Sequence, residues 1–367
     1  MATPVRQLRA TLHGLAPART RIGSAGAGGL CRGCSGDRPL AAQRKCLDHL
    51  RIARQRKGAV GMKQLNFSLK PLAPYDLSYS VWLLRRRPTN ELDRWEDRTY
   101  HRVVLFGGRP VALAVTQTGP RERPELEVSA LGRTIGPAEK PALARLLARM
   151  LGTEVDLAPF YRTARRDSQL DELVQRFRGF KPPRFPSLFE TLANAILCQQ
   201  ISLNVGLALI GRVARRWGLA LAPGNHSPHA FARPADLRSA RPQDLRRLGL
   251  SRHKAAALLN LAAIAARDEQ AIEGIGALGD APAMERLLAL RGVGPWSAEY
   301  ALLRGLGRLH FFPAGDVAAQ KNLARWLALE RPPDTAETRR LVARWHPYEG
   351  LVYLHLLLFS LSAKGYL

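Results

Sequence analysis

Two periodicities of apolar residues divide this chain. Between residues 62 and 157 the pattern alternates, and LNFSLKPL (65–72), SYSVWLL (78–84), YHRVVLFGG (100–108), PVALAVTQ (110–117) and ELEVSAL (125–131) predict β-strands. Alternation carries that meaning because successive strand side chains point to opposite faces of a sheet. Gly107-Gly108 predicts a tight hairpin turn between two of them. Residues 137–151, PAEKPALARLLARML, space their apolar positions three and four apart and predict a helix. The expected fold of this part is α+β, an antiparallel sheet with a helix.

From about residue 158 to the end, helical periods take over and predict a mainly α domain. Ser187 and Glu190 have capping-box spacing ahead of LFETLANAILCQ, whose Leu188, Leu192, Ala195 and Ile196 form an expected buried stripe. Leu203–Trp217 follows as a second helix. Ser251 is a natural N-cap for the helix after Gly249-Leu250. Ala283–Leu290 precedes a glycine turn and a new helix at Pro295, and Val317–Leu329 is amphipathic. The longest apolar run, Leu351–Ala363, contains His355, is too short for a bilayer span and predicts a buried terminal helix.

Charge adds a partner to this picture. Lys and Arg number 56 against 30 Asp and Glu, a formal net charge of +26. A chain this basic is expected to meet a polyanion, nucleic acid first and an anionic membrane surface second. Residues 1–61 hold twelve Lys or Arg against only Asp37 and Asp48, with little apolar surface to offset chain entropy, so disorder is expected there. Within them Cys31-x2-Cys34-x11-Cys46-x2-His49 offers three thiolates and an imidazole to a tetrahedral zinc, set against incidental cysteines in a basic tail. Met62, just before the patterned segment, is an alternative start, and the Arg-rich opening also has a transit-sequence character. The four cysteines suggest a reducing compartment without a disulfide framework. Arg85-Arg86-Arg87 is expected in a solvated loop, with a DNA contact as the alternative.

Candidate chemistry is concentrated between Leu290 and Gln320. Glycines at 292 and 294 allow a tight turn and close approach of backbone N–H groups to an anion, and Pro295 starts a helix whose positive dipole end points at that turn. Trp296 and Tyr300, four residues apart, share a helix face. Asp316 stands at the entrance of the next amphipathic segment, either as an N-cap or as a fixed anion, and backbone donors there would hold and aim its carboxylate.

LRGVGPWSAEY (290–300), followed at this distance by Ala314-Gly315-Asp316-Val317, resembles the helix-hairpin-helix Gly-Pro-Asp (HhH-GPD) superfamily of DNA glycosylases, in particular the branch of bacterial 3-methyladenine DNA glycosylase II. The resemblance implies a curved sheet in the α+β part, and a helical domain that flips a damaged base out of double-stranded DNA. It implies Asp316 as the catalytic carboxylate near C1′, Trp296 and Tyr300 as base-pocket faces, Gln199 at the pocket mouth and Gln200 as the wedge in the vacated stack. Gly292, Gly294, Arg291, Arg252 and Lys254 become phosphate contacts. Trp296 stands where bifunctional relatives carry a Schiff-base lysine, and no cysteine follows Cys198 where iron–sulfur relatives have four. The implied enzyme is therefore monofunctional, needs no cofactor, excises alkylated purines as a monomer, and works in a bacterial cytoplasm at the nucleoid. Gln200, where the branch commonly has an apolar residue, and Glu349, where it has arginine after Trp345, Pro347 and Tyr348, depart from the pattern. Those departures motivate a second reading, a non-catalytic damage- or junction-binding protein that uses the hairpin as a clamp.

Overall fold

The computed structural model of the protein describes residues 63–224 and 227–367, so the Cys31, Cys34, Cys46 and His49 set lies outside the described residues. An antiparallel five-stranded sheet comes first, with strands β1 (Lys63–Leu69), β2 (Arg94–Glu96), β3 (Thr99–Phe106), β4 (Arg109–Gln117) and β5 (Leu126–Gly132) in the order β1-β5-β4-β3-β2. Phe106 pairs with Arg109 across Gly107-Gly108, both at positive φ, which is the two-residue turn whose twist matches a hairpin. β2 escaped the sequence reading because three residues carry too little pattern.

One predicted strand is a helix. Residues 78–84 fall within α1 (Leu77–Arg85), capped by Asp76, whose side chain accepts from Ser78 N at 3.1 Å. Leu77, Val81 and Leu84, at helical spacing, face the sheet's core, while Trp82 and Leu83 enter a different core on the other side. A helix buried on both sides loses the polar face that would reveal its period, and a short stretch of it passes for alternation.

The second helix, α2 (Lys140–Leu151), places Leu143, Leu147 and Leu151 on the same sheet face as α1. Eleven further helices follow among the described residues, and a short one at Gln270–Glu273. In chain order they are α3 (Ala158–Ala164), α4 (Ser168–Arg176), α5 (Leu188–Cys198), α6 (Leu203–Trp217), α7 (Pro242–Arg247), α8 (Arg252–Arg267), α9 (Gln270–Glu273), α10 (Asp280–Leu288), α11 (Pro295–Arg304), α12 (Val317–Trp326), α13 (Thr335–Val342) and α14 (Glu349–Ser362). One core joins α5, α6, α8, α10 and α11 through residues such as Leu192, Ile210, Leu258, Leu287 and Leu302. Another gathers α3, α4, α12 and α14 around Phe160, Leu323, Trp345 and Leu354, and α1 reaches it through Trp82. Among the described residues no helix is long and apolar enough to cross a membrane.

Two local readings change in three dimensions. Ser187 does cap α5, accepting from Glu190 N at 3.0 Å, but Glu190 does not complete a capping box. Its carboxylate turns instead to the buried Arg102 of β3, which also binds Asp93 at 2.6 Å, so an ion network ties the sheet to α5. The arginines at 85–87 are not a solvated loop. Arg85 packs over Trp82 with 4.9 Å to the ring centroid, and Arg86, at φ +60°, reaches inward to Asn194 Oδ1 at 2.8 Å.

Candidate active site

The hairpin is α10, the turn through Gly292, and α11. Gly292 sits at φ +82°, and a Cβ added there would lie 2.5 Å from Ala257 Cβ of α8, so both backbone and space require glycine. Gly294 is different. Its φ of −98° suits any residue, and an added Cβ would meet nothing within 4 Å, so strain is no reason for this glycine. What it leaves open is the approach to the start of α11. No side chain caps that helix, and Pro295 at its first position contributes no N–H, so the first-turn donors and the dipole face outward beyond the turn. Val293 is buried and pins the turn to the core, whereas Arg291 projects into solvent.

Twenty residues beyond Trp296, the chain returns to the same place. Asp316 is the N-cap of α12, and its Oδ1 accepts from Ala318 N at 2.9 Å and Ala319 N at 3.0 Å. Oδ2 accepts from Trp296 Nε1 at 3.3 Å and from the phenol of Tyr353, on α14, at 2.9 Å. The cap and the fixed anion are thus one geometry, since each oxygen has its own pair of donors. Burial raises the Tyr353 phenol well above its ordinary pKa, with the charge of Asp316 adding to it, in keeping with its place as a donor to that carboxylate.

The loop that presents Asp316 is itself held. Glu299, one turn along α11 from Trp296 and 3% exposed, accepts from Ala314 N at 3.1 Å and from Arg339 Nη2 at 2.6 Å. Gln320 donates to the carbonyl of the same Ala314 at 2.9 Å. Both backbone polar groups of Ala314, two residues before Asp316, are therefore fixed by side chains.

Trp296 and Tyr300 stack, with centroids 5.5 Å apart and planes at 28°. Phe185 lies behind Tyr300 at 6.3 Å, and with Ala195 these rings form a cluster separate from the three large cores. Trp296 remains partly exposed while Tyr300 and Phe185 are buried, so the stack opens to solvent at the Asp316 end.

The polar residues after α5 divide in role. Gln199 donates to Gly292 O at 2.9 Å and Ser297 Oγ at 2.6 Å, fastening the end of α5 to the hairpin turn. Gln200 is exposed at φ +53°, beside the exposed apolar side chains of Ile201 and Val205. Of the two basic residues opening α8, Arg252 is exposed, but Lys254 Nζ donates to Leu197 O at 2.9 Å and closes the C-terminus of α5. Burial lowers the Lys254 pKa. The structure therefore commits Lys254 to an internal contact and leaves Arg252 and Arg291 at the surface.

At the end of the chain, Trp345 donates to Asp167 Oδ2 at 2.9 Å inside a core, Tyr348 packs edge-on to Phe160, and Glu349 meets His346 Nδ1 at 3.0 Å. Sequence reasoning missed Tyr353, Glu299, Arg339, Phe185 and Arg86 as members of this neighbourhood. For Tyr353 a signal existed: a phenol within a run of buried apolar residues needs a partner for its hydroxyl.

The family described as "HhH-GPD superfamily base excision DNA repair protein" matches residues 193–347. The DNA-3-methyladenine glycosylase 2 of Escherichia coli is 28% identical over 299 residues, 79% of this chain and 96% of that protein. The DNA-3-methyladenine glycosylase of Bacillus subtilis is 24% identical over 77% of this chain and 93% of its own length. Among solved structures, the 3-methyladenine DNA-glycosylase of Archaeoglobus fulgidus superposes with a TM-score of 0.69 at 26% identity, covering 80% of this chain and 98% of that one.

Proposed function

Residues 193–347 of this chain belong to the HhH-GPD superfamily of base excision DNA repair proteins, and from that premise we propose that it is a monofunctional DNA glycosylase removing alkylated purines and leaving an abasic site. The observation that carries this reading is the Asp316 carboxylate, held through both oxygens by four donors beside a solvent-open aromatic stack and the outward-facing start of α11.

The hairpin turn at Gly292 to Gly294, with Arg291 and Arg252, grips the phosphate backbone of duplex DNA without reading its bases, so binding is salt-sensitive and largely independent of sequence. Gln200, at the exposed tip after α5, occupies the place of the extruded nucleotide, and its apolar neighbours Ile201 and Val205 supply surface that a polar side chain does not. The flipped purine stacks on Trp296 and Tyr300, whose faces attract a ring that alkylation has made cationic. As the C1′–N bond breaks, positive charge develops on the sugar, and Asp316 stabilises it and takes a proton from the attacking water. Trp296 offers no amine for a Schiff base, so strand cleavage does not follow.

The deciding experiment is the release of free base from methylated duplex DNA, separated by chromatography. Released 3-methyladenine or 7-methylguanine, with strand breaks only after alkali, supports the proposal. Tight binding to abasic-site DNA without release of base would leave a clamp and refute an enzyme.

A further inference from the structure

Most of the arginines beside the hairpin have no part in the site described above. Between Arg238 and Arg252 the sequence holds five arginines against one acid, Asp244. Asp244 accepts from Arg241 Nε at 3.2 Å and from Arg247 Nη1 at 3.0 Å, but both arginine side chains are 74% exposed, so these pairs are weak in water and leave the cations able to meet another anion. Arg246 is exposed and makes no ion pair among the described residues. Its carbonyl accepts from Gly249 N at 2.9 Å, which folds the end of α7 onto the turn that leads to α8. Arg212, exposed on α6, reaches the same turn and donates through Nη1 to Leu248 O at 2.8 Å. Gly249 stands there at φ +100°, and a Cβ on it would lie 3.2 Å from that Nη1. Three cations thus share one exposed turn, where their mutual repulsion is a cost that joining two helices does not require.

The turn is also placed by its neighbours. It opens α8, whose Lys254 closes the end of α5 just before Gln200 and whose Ala257 lies against Gly292 of the hairpin. Ala257 is six residues beyond Ser251, so the turn lies about 9 Å along the α8 axis from the hairpin's anion seat. The minor groove of duplex DNA is about 6 Å wide. Two cationic seats at this offset match phosphates on the two sides of one groove, with the exposed tip at Gln200 close to both.

We propose that Arg212, Arg246 and Arg247 form a second phosphate-binding surface, which holds the strand opposite the lesion while the hairpin holds the lesion strand. This rests on the duplex-binding part of the proposed function and adds a surface to it. Extruding a nucleotide breaks stacking and pairing and leaves the opposite strand without its partner. A grip on one backbone alone lets the duplex tilt away from the α5 tip, whereas a second grip across the groove fixes both backbones against it. Arginine suits the task, since its planar fork binds a phosphate through two N–H groups and keeps its charge at any working pH. Contacts of this kind position the duplex and read no base.

The test measures affinity of the full chain for an abasic-site duplex by fluorescence anisotropy, with neutral methylphosphonate linkages placed beside the site in one strand or the other. Wild type is expected to bind about tenfold more weakly when the opposite strand is neutralised, and the double variant Arg246→Gln, Arg247→Gln to show about the same loss on the unmodified duplex. Neutralising the opposite strand should then cost the double variant nothing further, while neutralising the lesion strand weakens both proteins. The slope of its log affinity against log salt should be shallower by about 1.8, the share of two phosphates. Arg212→Gln, which keeps a donor for Leu248 O, should show the same strand dependence and gives the answer if the double variant melts early. Wild type indifferent to neutral linkages in the opposite strand overturns the inference, and so does a variant whose loss persists on that neutralised duplex. Either result leaves the glycosylase reading intact, because release of base from methylated DNA is measured separately. Wild type with no affinity for the duplex refutes both together.

Discussion

The phenol of Tyr353 donates to Oδ2 of Asp316 at 2.9 Å, across 37 positions of sequence. That bond joins the last helix to the N-cap of α12 and leaves Asp316 with little freedom to turn. Tyr353→Phe is expected to lower kcat for base release by about tenfold and stability by roughly 1 kcal/mol. Single-turnover kinetics with a thermal melt separates the two effects, and unchanged kinetics would remove Tyr353 from the proposed machinery.

Asp316 serves as cap and as anion, and two substitutions pull those roles apart. Asparagine still accepts from Ala318 and Ala319, so Asp316→Asn should melt close to wild type yet lose about a hundredfold or more in base release while binding abasic DNA. Alanine should add a loss of about 1 kcal/mol in stability. Normal turnover by the asparagine variant is the result that would sink the assignment.

The two hairpin glycines should respond in opposite ways. Gly292→Ala forces a side chain into a positive-φ site and against Ala257, and is expected to cost about 1–3 kcal/mol in chemical denaturation. Gly294→Ala meets open space, so its stability should change by about 1 kcal/mol or less while affinity for duplex DNA, read by fluorescence anisotropy, drops about tenfold.

Glu299 holds Ala314 N–H and Arg339 behind the loop that presents Asp316. Glu299→Ala strands the Ala314 N–H, with an expected loss of about 1–3 kcal/mol and a fall in kcat larger than the change in KM. Glu299→Gln keeps an acceptor for Ala314 and should recover most of both.

His355 makes acid stability testable. Buried between Phe160 and Phe180, with Nδ1 donating to Leu351 O at 2.8 Å, it is held near a pKa of about 4 by burial. The unfolded chain takes up that proton near pH ~6.5, so it binds more protons than the fold between there and about pH 4. Stability should be unaffected by this group above pH ~6.5 and fall by up to about 1.4 kcal/mol per unit as the pH drops through that window. Urea denaturation of wild type and His355→Asn at several pH values checks this, and identical slopes would contradict it.

Much of the site was readable where its determinants are local. The caps at Ser251 and Asp316, the positive-φ turn at Gly107-Gly108 and the Trp296–Tyr300 face each depend on residues within four positions of one another, which is the range over which turns and helices are specified. Gly292 and Gly294 are indistinguishable as letters, although only Gly292 has a backbone that needs glycine. Lys254 looked like a surface cation because nothing nearby in sequence announces the carbonyl of Leu197, 57 positions away.

By itself, then, the order of amino acids determined the two-part α+β and helical layout beyond residue 62, the hairpin, and the carboxylate at a helix entrance, since periodicity and capping are short-range properties. Only the tertiary structure decided that residues 77–85 are helical, that Tyr353 and Glu299 steady Asp316, and that Lys254 closes the end of α5. Those outcomes depend on which buried surfaces and which polar groups meet across long stretches of chain, and that is settled when the cores close around them, not by the neighbours of any one residue.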